Sequence, residues 1–416
     1  MNILVVGLGK LGLPLLALLA DSNHKVYGMD KSEDLIESLN TQTYQSNEAG
    51  LMDMLSKNKD NINYLSSTKG ILESIDLVFI IVPTPSEPSG RFSNKFVLEV
   101  AADLGMQLKH SSSRIVINVV STVMPGSCGG IITRTLEQAS GKKLGSTIGL
   151  CYSPEFIALG SVMRDMQYPD MHLLGTSHPW AGDVLEVALK SITKITVPFL
   201  RMNLLEAELV KISVNNFVTM KISFANSLLQ IAEYLGNIDI DIVTKAIGLD
   251  SRIGERYMKA AAPYGGPCFP RDTRALTSLF LDSGLIYSLS ETTEKINEGY
   301  AKYISNKAIS SISRSSIIGI LGVSYKSGTP VIDESPGIAI AKTLINSGFE
   351  VLLWDDEGVI ESGLNAKICE LDEILKTADY FIITRNVNSI DYIIQTIEEN
   401  GKIYLDLWRQ RNKLVR

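Results

Sequence analysis

The chain has 416 residues and a mass of 45.6 kDa, which predicts two or three domains at the usual ~100–200 residues each. Hydrophobic residues make up 45% and charged residues 20%, enough apolar material for sizeable cores. Lys plus Arg total 39 against 46 Asp plus Glu, a net charge of −7, and no basic block breaks that balance; nucleic acid and anionic membranes are therefore excluded as expected partners. No uninterrupted apolar stretch approaches ~18 residues, and residues 1–7 enter a strand-like run without a basic leader. A soluble, cytoplasmic protein is expected. Four cysteines, at 128, 151, 268 and 369, lack paired metal-ligand spacing; no metal is expected, and such sparse use suits a reducing compartment.

In chain order, the first ~195 residues alternate short apolar runs with helical patterns. Strands are predicted at 3–6, 25–29, 77–82, 115–120, 149–153 and 172–175, with amphipathic helices at 11–20 and 34–40. Such alternation implies βαβ units and a largely parallel sheet. From 203 to 236 no proline occurs and apolar residues recur at helical spacing, predicting one helix of ~30 residues, well above the usual length. A helix this long more often bridges domains or packs against a partner than sits inside one small core. A second α/β pattern begins near Ser316, with strands at 317–321, 350–354, 378–384 and 402–405 and a helix at 339–347. The expected fold is α/β: two Rossmann-like, doubly wound domains, 1–198 and 301–416, joined by a central helical domain, 199–300.

Gly7-Leu8-Gly9-Lys10-Leu11-Gly12 follows the first predicted strand and opens a helix. Gly7 permits the tight turn, Gly9 lets backbone approach a pyrophosphate, and Gly12 allows close helix–strand packing. The helix N-terminus offers unsatisfied N–H groups to phosphates. Asp30, at the end of the second strand, places a carboxylate where ribose hydroxyls bind and a 2′-phosphate is repelled, so NAD is expected over NADP. Gly265-Gly266-Pro267-Cys268-Phe269-Pro270-Arg271-Asp272 sets a thiol in a glycine- and proline-bound turn, followed by a cation and a carboxylate. The glycines there let a ligand approach the backbone, and the neighbours could activate the thiol. On these residues alone Cys268 stays open between nucleophile and structural thiol; the other three cysteines read as structural. Lys211 and Asn215, four apart, share a helix face, either solvated or turned into a cleft where they could stabilise an oxyanion. Glu155 follows a strand end, where ligands of α/β folds bind, but equally suits a helix N-terminus.

Together these residues resemble the UDP-glucose/GDP-mannose dehydrogenase family along nearly the whole chain. The matches, in the family's order, are Gly7, Gly9 and Gly12 with Asp30; Val82-Pro83-Thr84-Pro85; Ser121-Thr122-Val123 with Pro125-Gly126; and Pro154-Glu155-Phe156. Ala207-Glu208-Leu209-Val210-Lys211 with Asn215, Asp250-Ser251-Arg252-Ile253-Gly254, the Cys268 segment, and Tyr325-Lys326 with Glu334-Ser335-Pro336 complete them. The resemblance implies an N-terminal NAD-binding domain, a central helical domain that forms a homodimer through its long helix, and a C-terminal domain for the nucleotide of the sugar. It further implies oxidation of a sugar C6 alcohol to a carboxylate with two NAD, through a thiohemiacetal and a thioester on Cys268. Lys211 and Asn215 would stabilise the oxyanion, Thr122 and Asp272 would order water, and Glu155 would assist where sugar and nicotinamide meet. Gly9, Asp30, Thr84, Thr122, Glu155 and Arg271 would contact NAD. Tyr257, Met258, Lys259, Ala260, Ala261, Gly265 and Lys326 would hold the nucleotide sugar, together with Glu155, Lys211 and Asn215.

Several positions depart from the family pattern. Leu159 replaces a second acid; Ala261 and Pro263 replace glycines; Arg271 replaces a lysine, keeping charge but changing shape. Asp333 stands where an arginine is usual, and the family's Thr-Glu-Trp reads Thr384-Arg385-Asn386. Pro154-Glu155-Phe156 looks more like the UDP-glucose and GDP-mannose branches than the N-acetylmannosamine branch, so UDP-glucose is the expected substrate and another UDP- or GDP-hexose the runner-up. A β-hydroxyacid dehydrogenase would leave Cys268 and the second α/β domain without purpose. A non-catalytic NAD-binding protein would bind NAD without turnover.

Overall fold

The computed structural model describes residues 1–157, 160–285 and 287–410, so Leu159 lies outside the described residues. The chain divides into two compact units, Met1–Ile212 and Ser213–Arg416.

The first unit is built on an eight-stranded sheet of order β3-β2-β1-β4-β5-β6-β7-β8. The strands are β1 (Asn2–Val6), β2 (Lys25–Met29), β3 (Ile62–Leu65), β4 (Leu77–Ile80), β5 (Ile115–Val119), β6 (Ile148–Tyr152), β7 (His172–Thr176) and β8 (Phe199–Met202). Every neighbouring pair is parallel except β6 with β7. β4, β5 and β6 are buried along their whole length, because helices on both faces exclude water and demand continuous apolar runs. The first helix, Gly12–Asp21, buries nine of its ten residues, which explains a sequence apolar on every side. The predicted strands match to within two residues. The two that escaped sequence reading, β3 and β8, lie at the sheet edges, where one side faces solvent and the apolar signal fades.

The long helix runs Leu204–Leu235, 32 residues, or about 48 Å at 1.5 Å per residue. It belongs to the first unit up to Ile212 and to the second from Ser213. The second unit adds the helices Ile240–Leu249, Phe269–Asp282 and Leu289–Ile309. It then forms a five-stranded, fully parallel sheet of order β11-β10-β9-β12-β13. Its strands are β9 (Ile317–Leu321), β10 (Glu350–Trp354), β11 (Lys367–Ile368), β12 (Tyr380–Ile383) and β13 (Ile403–Asp406). The expected α/β class with two doubly wound sheets and a central helical segment is what the structure has. β11, two residues at an edge, carried no readable pattern. Among the described residues no helix is long and apolar enough to cross a membrane.

The crossing of β1 with the first helix depends on missing side chains. Gly7 ends β1 at φ +97°, a conformation that suits glycine, and a Cβ on Gly12 would lie 1.8 Å from the Gly7 carbonyl oxygen. By contrast, a Cβ on Gly9 would meet nothing within 4 Å. Gly12→Ala is therefore expected to cost about 1–3 kcal/mol by overpacking, while Gly9→Ala leaves stability nearly unchanged; urea melts of the two variants compare them directly.

Candidate functional site

In the first unit, the turn from β1 into the helix Gly12–Asp21 and the end of β2 form one device. Gly7 N–H donates to the Met29 carbonyl (2.8 Å). Asp30 accepts from the Leu8 N–H at Oδ2 (2.8 Å) and from the Ser32 N–H at Oδ1 (3.0 Å). The helix has no side-chain cap and no acid in its first turn, so its N–H groups and positive dipole end suit an anion. Open space beside Gly9, the tight turn at Gly7 and a fixed carboxylate at Asp30 fit the pyrophosphate and ribose of NAD. A bound NAD would supply a hydride acceptor.

The loops after β4, β5 and β6 hold the other predicted cofactor residues. Thr84 is buried and its hydroxyl donates to the Thr122 carbonyl (2.7 Å), so these two positions are brought together. Ser121 donates from its hydroxyl to the Val82 carbonyl (2.7 Å) and accepts from the Val82 N–H (2.9 Å). After β6, the Lys211 ammonium donates to the Glu155 main-chain carbonyl (2.7 Å) and lies 4.7 Å from the centre of the Phe156 ring. Burial pushes the Glu155 carboxyl up to about 7, against the pull of Lys211. A carboxyl poised near neutrality can give or take a proton.

Glu208 received no role from the sequence. It is fully buried, and its two oxygens accept from the Gly126 and Cys128 N–H groups, both at 2.6 Å. Burial raises its carboxyl above the usual range, opposed by these two donors. The residue therefore clamps the loop that follows Thr122. A signal for it existed: Leu204, Ala207, Glu208, Lys211 and Ile212 fall at helical spacing and are all buried, so Glu208 is a charge inside an apolar stripe.

In the second unit Cys268 is exposed, and no disulfide joins any of the four cysteines; the other three are buried. Cys268 is the N-cap of the helix Phe269–Asp282, where first-turn N–H groups favour negative charge. One turn on, Asp272 is buried and accepts from Asn215 Nδ2 at Oδ2 (2.6 Å), while Asn216 Nδ2 donates to its carbonyl (2.9 Å). Arg271 is partly buried on the same turn.

The segments expected to hold the nucleotide sugar are engaged in the protein's own packing. The glycines before Cys268 serve the protein's own packing. A Cβ on Gly265 would lie 2.2 Å from the Glu334 carbonyl oxygen, and one on Gly266 would lie 2.4 Å from the Tyr325 ring. Burial, and then the charge of a Cys268 thiolate, pushes the Tyr325 hydroxyl up to about 12. In the segment from Tyr257 to Ala261, the side chains of Met258, Ala260 and Ala261 are buried. The Ala261 N–H is taken by Asn226 Oδ1 (2.8 Å), and the Ala260 carbonyl accepts from Arg409. Tyr257, at φ +63° and 51% exposed, and Lys259, which donates to the Trp408 carbonyl (3.2 Å), remain closer to the surface. Lys326 lies on the loop after β9, its ammonium 5.9 Å from the Tyr325 ring centre. Asp333 is exposed, and its neighbour Glu334 pairs with Arg274 (2.7 Å). Among the described residues no group of three or more His, Cys, Asp or Glu could hold a metal ion.

Comparison with known proteins agrees with this construction. Residues 1–193 match the NAD binding domain of the UDP-glucose/GDP-mannose dehydrogenase family, 205–299 its central domain and 319–412 its UDP binding domain. A GDP-mannose 6-dehydrogenase of Pseudomonas syringae pv. tomato is 29% identical over 98% of this chain and 96% of its own. A UDP-glucose 6-dehydrogenase of Rickettsia conorii is 30% identical over 86% of this chain and 82% of its own. The structure of a UDP-glucose dehydrogenase from Pyrobaculum islandicum superposes with a TM-score of 0.86 at 27% identity, covering 98% of this chain and 94% of that one. The chain belongs to the UDP-glucose/GDP-mannose dehydrogenase family, NAD-dependent oxidoreductases acting on nucleotide sugars.

The partly buried Glu155 generates a pH-dependent prediction. Its folded-state pKa of about 7 exceeds the ordinary 4.5, so between these values the unfolded chain releases a proton that the folded chain keeps. Stability is thus lost as pH rises through this window and levels off above it. Glu155→Gln should abolish that decline, so the melting-temperature difference between wild type and variant should move against the wild type from pH 4.5 to 7. A pH-independent difference would show that the carboxyl titrates normally.

Proposed function

We propose that this protein oxidises the C6 alcohol of UDP-glucose to the carboxylate of UDP-glucuronate. The observation that carries the reading is Cys268, exposed at a helix N-terminus with the buried Asp272, bonded to Asn215, one turn away. In this reading the first oxidation leaves a C6 aldehyde, and the Cys268 sulfur adds to its carbon to form a thiohemiacetal. The second oxidation converts this adduct to a thioester. Water, ordered by Asp272 with Thr122, then cleaves the C–S bond and returns the thiol. Bound NAD would supply the acceptor for the hydride of each oxidation, so that two NADH are expected per sugar. Lys211 and Asn215 supply the donors for the oxyanion, and Glu155 the proton relay. NAD contacts come from Gly9, Asp30, Thr84 and Arg271, and nucleotide-sugar contacts from Tyr257, Lys259 and Lys326.

GDP-mannose is the second reading, favoured by relatives of that name at the same level of identity as those named for UDP-glucose. A panel of UDP-glucose, UDP-galactose, UDP-N-acetylmannosamine, UDP-N-acetylglucosamine and GDP-mannose, scored as NADH formed per sugar consumed, decides between them. Two NADH per molecule of one sugar, lost in Cys268→Ala, is the expected outcome; one NADH, or activity indifferent to Cys268, would sink the thioester route. Lys211→Ala should lower turnover by roughly 10²–10³.

The working form is a homodimer made through the long helix, and its place the cytoplasm, where four cysteines without disulfides persist. Leu205, Leu209, Phe217, Phe224, Ile231 and Leu235 are all more than 40% exposed. Their spacing keeps them on one side of the helix, leaving an apolar stripe of the kind that a second copy covers. Phe217→Asp with Phe224→Asp should halve the mass seen by light scattering, whereas an unchanged mass would place the interface elsewhere.

A further inference from the structure

The loop after β9 is built on the same plan as the turn after β1, with one addition. Gly322, at φ +92°, donates to the Trp354 carbonyl (2.9 Å) as Gly7 does to Met29. Asp355, at the end of β10, accepts from the Ser324 N–H at Oδ2 (2.6 Å) and from the Glu357 N–H at Oδ1 (2.8 Å). This repeats the bonds of Asp30 with Leu8 and Ser32. The addition is Arg385, from the end of β12. Its guanidinium pairs with Asp355 (2.9 Å), with Asp356, and more distantly with Glu357 (3.9 Å). The pair is out of water, with side-chain exposures of 4% for Arg385 and 0% for Asp355. Glu357 Oε1 in turn accepts from the Gly328 N–H (2.7 Å), and Ser327 is held by the Asn386 carbonyl (2.6 Å). Both ends of the segment from Ser324 to Gly328 are thus tied to the acids that Arg385 grips. That segment carries Lys326, and also Tyr325, whose ring packs on Gly266.

We propose that Arg385 is a positioning residue for nucleotide-sugar binding, fixing the loop from Ser324 to Gly328 through Asp355, Asp356 and Glu357. The proposal rests on the reading that Lys326 holds the nucleotide sugar. Three consecutive carboxylates with little access to water repel one another and are costly unless a cation neutralises them. The planar fork of arginine meets several oxygens at once, which an ammonium does not. Removing Arg385 would leave these acids to separate and take on water, and the loop N–H groups bonded to them would move too. In this sequence the arginine stands where the family pattern has glutamate, so the anchor belongs to this chain's own version of the loop.

The test measures Kd for UDP and GDP, and separately for NAD, by calorimetry on wild type, Lys326→Ala, Arg385→Ala, Arg385→Lys and Glu357→Ala, the last of which removes the acceptor of the Gly328 N–H. Circular dichroism melts establish that each variant is folded at the assay temperature, and Glu357→Ala keeps the test alive if Arg385→Ala does not fold. For the nucleoside diphosphate that wild type binds, Arg385→Ala and Glu357→Ala should raise Kd about tenfold, with Arg385→Lys between them and wild type. NAD affinity should not move. If Lys326→Ala weakens binding while the Arg385 and Glu357 variants stay within about twofold of wild type, the anchor is overturned and the reading of Lys326 stands. A parallel loss of NAD affinity would mark a general loosening and also overturn it. If wild type binds neither diphosphate, or Lys326→Ala changes nothing, the underlying reading fails and takes the anchor with it.

Discussion

The long helix is the element on which both functional regions depend, because a rigid helix fixes the direction of every side chain it carries. A polar group on its buried side must find a partner or destabilise the fold. Each partner found is a loop of functional interest. Up to Ile212 the helix directs Glu208 at the N–H groups of Gly126 and Cys128, and Lys211 at the Glu155 carbonyl. Beyond it, Asn215 and Asn216 hold Asp272, and Asn226 grips Ala261 and Ala262. Few of these bonds are between neighbours in sequence, so the helix sets loop positions that the loops' own composition leaves open.

The two sheets show how one backbone device serves different ends. In each, a left-handed glycine closes the first strand and an aspartate at the end of the second receives the N–H groups of the following loop. In the first unit Asp30 has no basic side chain bonded to it among its described contacts, and Gly9 opens on space. That combination suits a ligand carrying both phosphate and ribose. In the second unit the aspartate is engaged by an arginine with almost no exposure. Electrostatics, then, separates the two turns while the hydrogen-bond geometry is repeated.

Glycine is where sequence reading and structure part most instructively. At 7, 9 and 12 the spacing and the preceding strand assigned three distinct roles, and the clearances agree with each: a turn, an open approach and a close crossing. At 265 and 266 the same residue type suggested ligand approach, yet the space is filled by Glu334 and the Tyr325 ring. Those partners lie some sixty residues away in the chain, beyond the reach of any local pattern. Three edge strands were missed for a related reason: β3, β8 and β11 are short and carry little apolar periodicity of their own, whereas β13, also at an edge, was legible.

By itself the sequence determined the fold class, the Rossmann turn with Asp30, the long helix and the glycine- and proline-bound turn around Cys268, because each is written in local spacing and in contiguous apolar runs. Family membership was legible too, since its motifs survive in order across the chain. Tertiary structure decided the rest. It assigned Glu208 to a loop some eighty residues earlier, committed the Asn215 amide to Asp272, filled the space beside Gly265 and Gly266, and raised the Glu155 carboxyl toward neutrality. Each of these depends on which distant groups exclude water from a side chain or complete its hydrogen bonds, and only the folded chain brings those groups together.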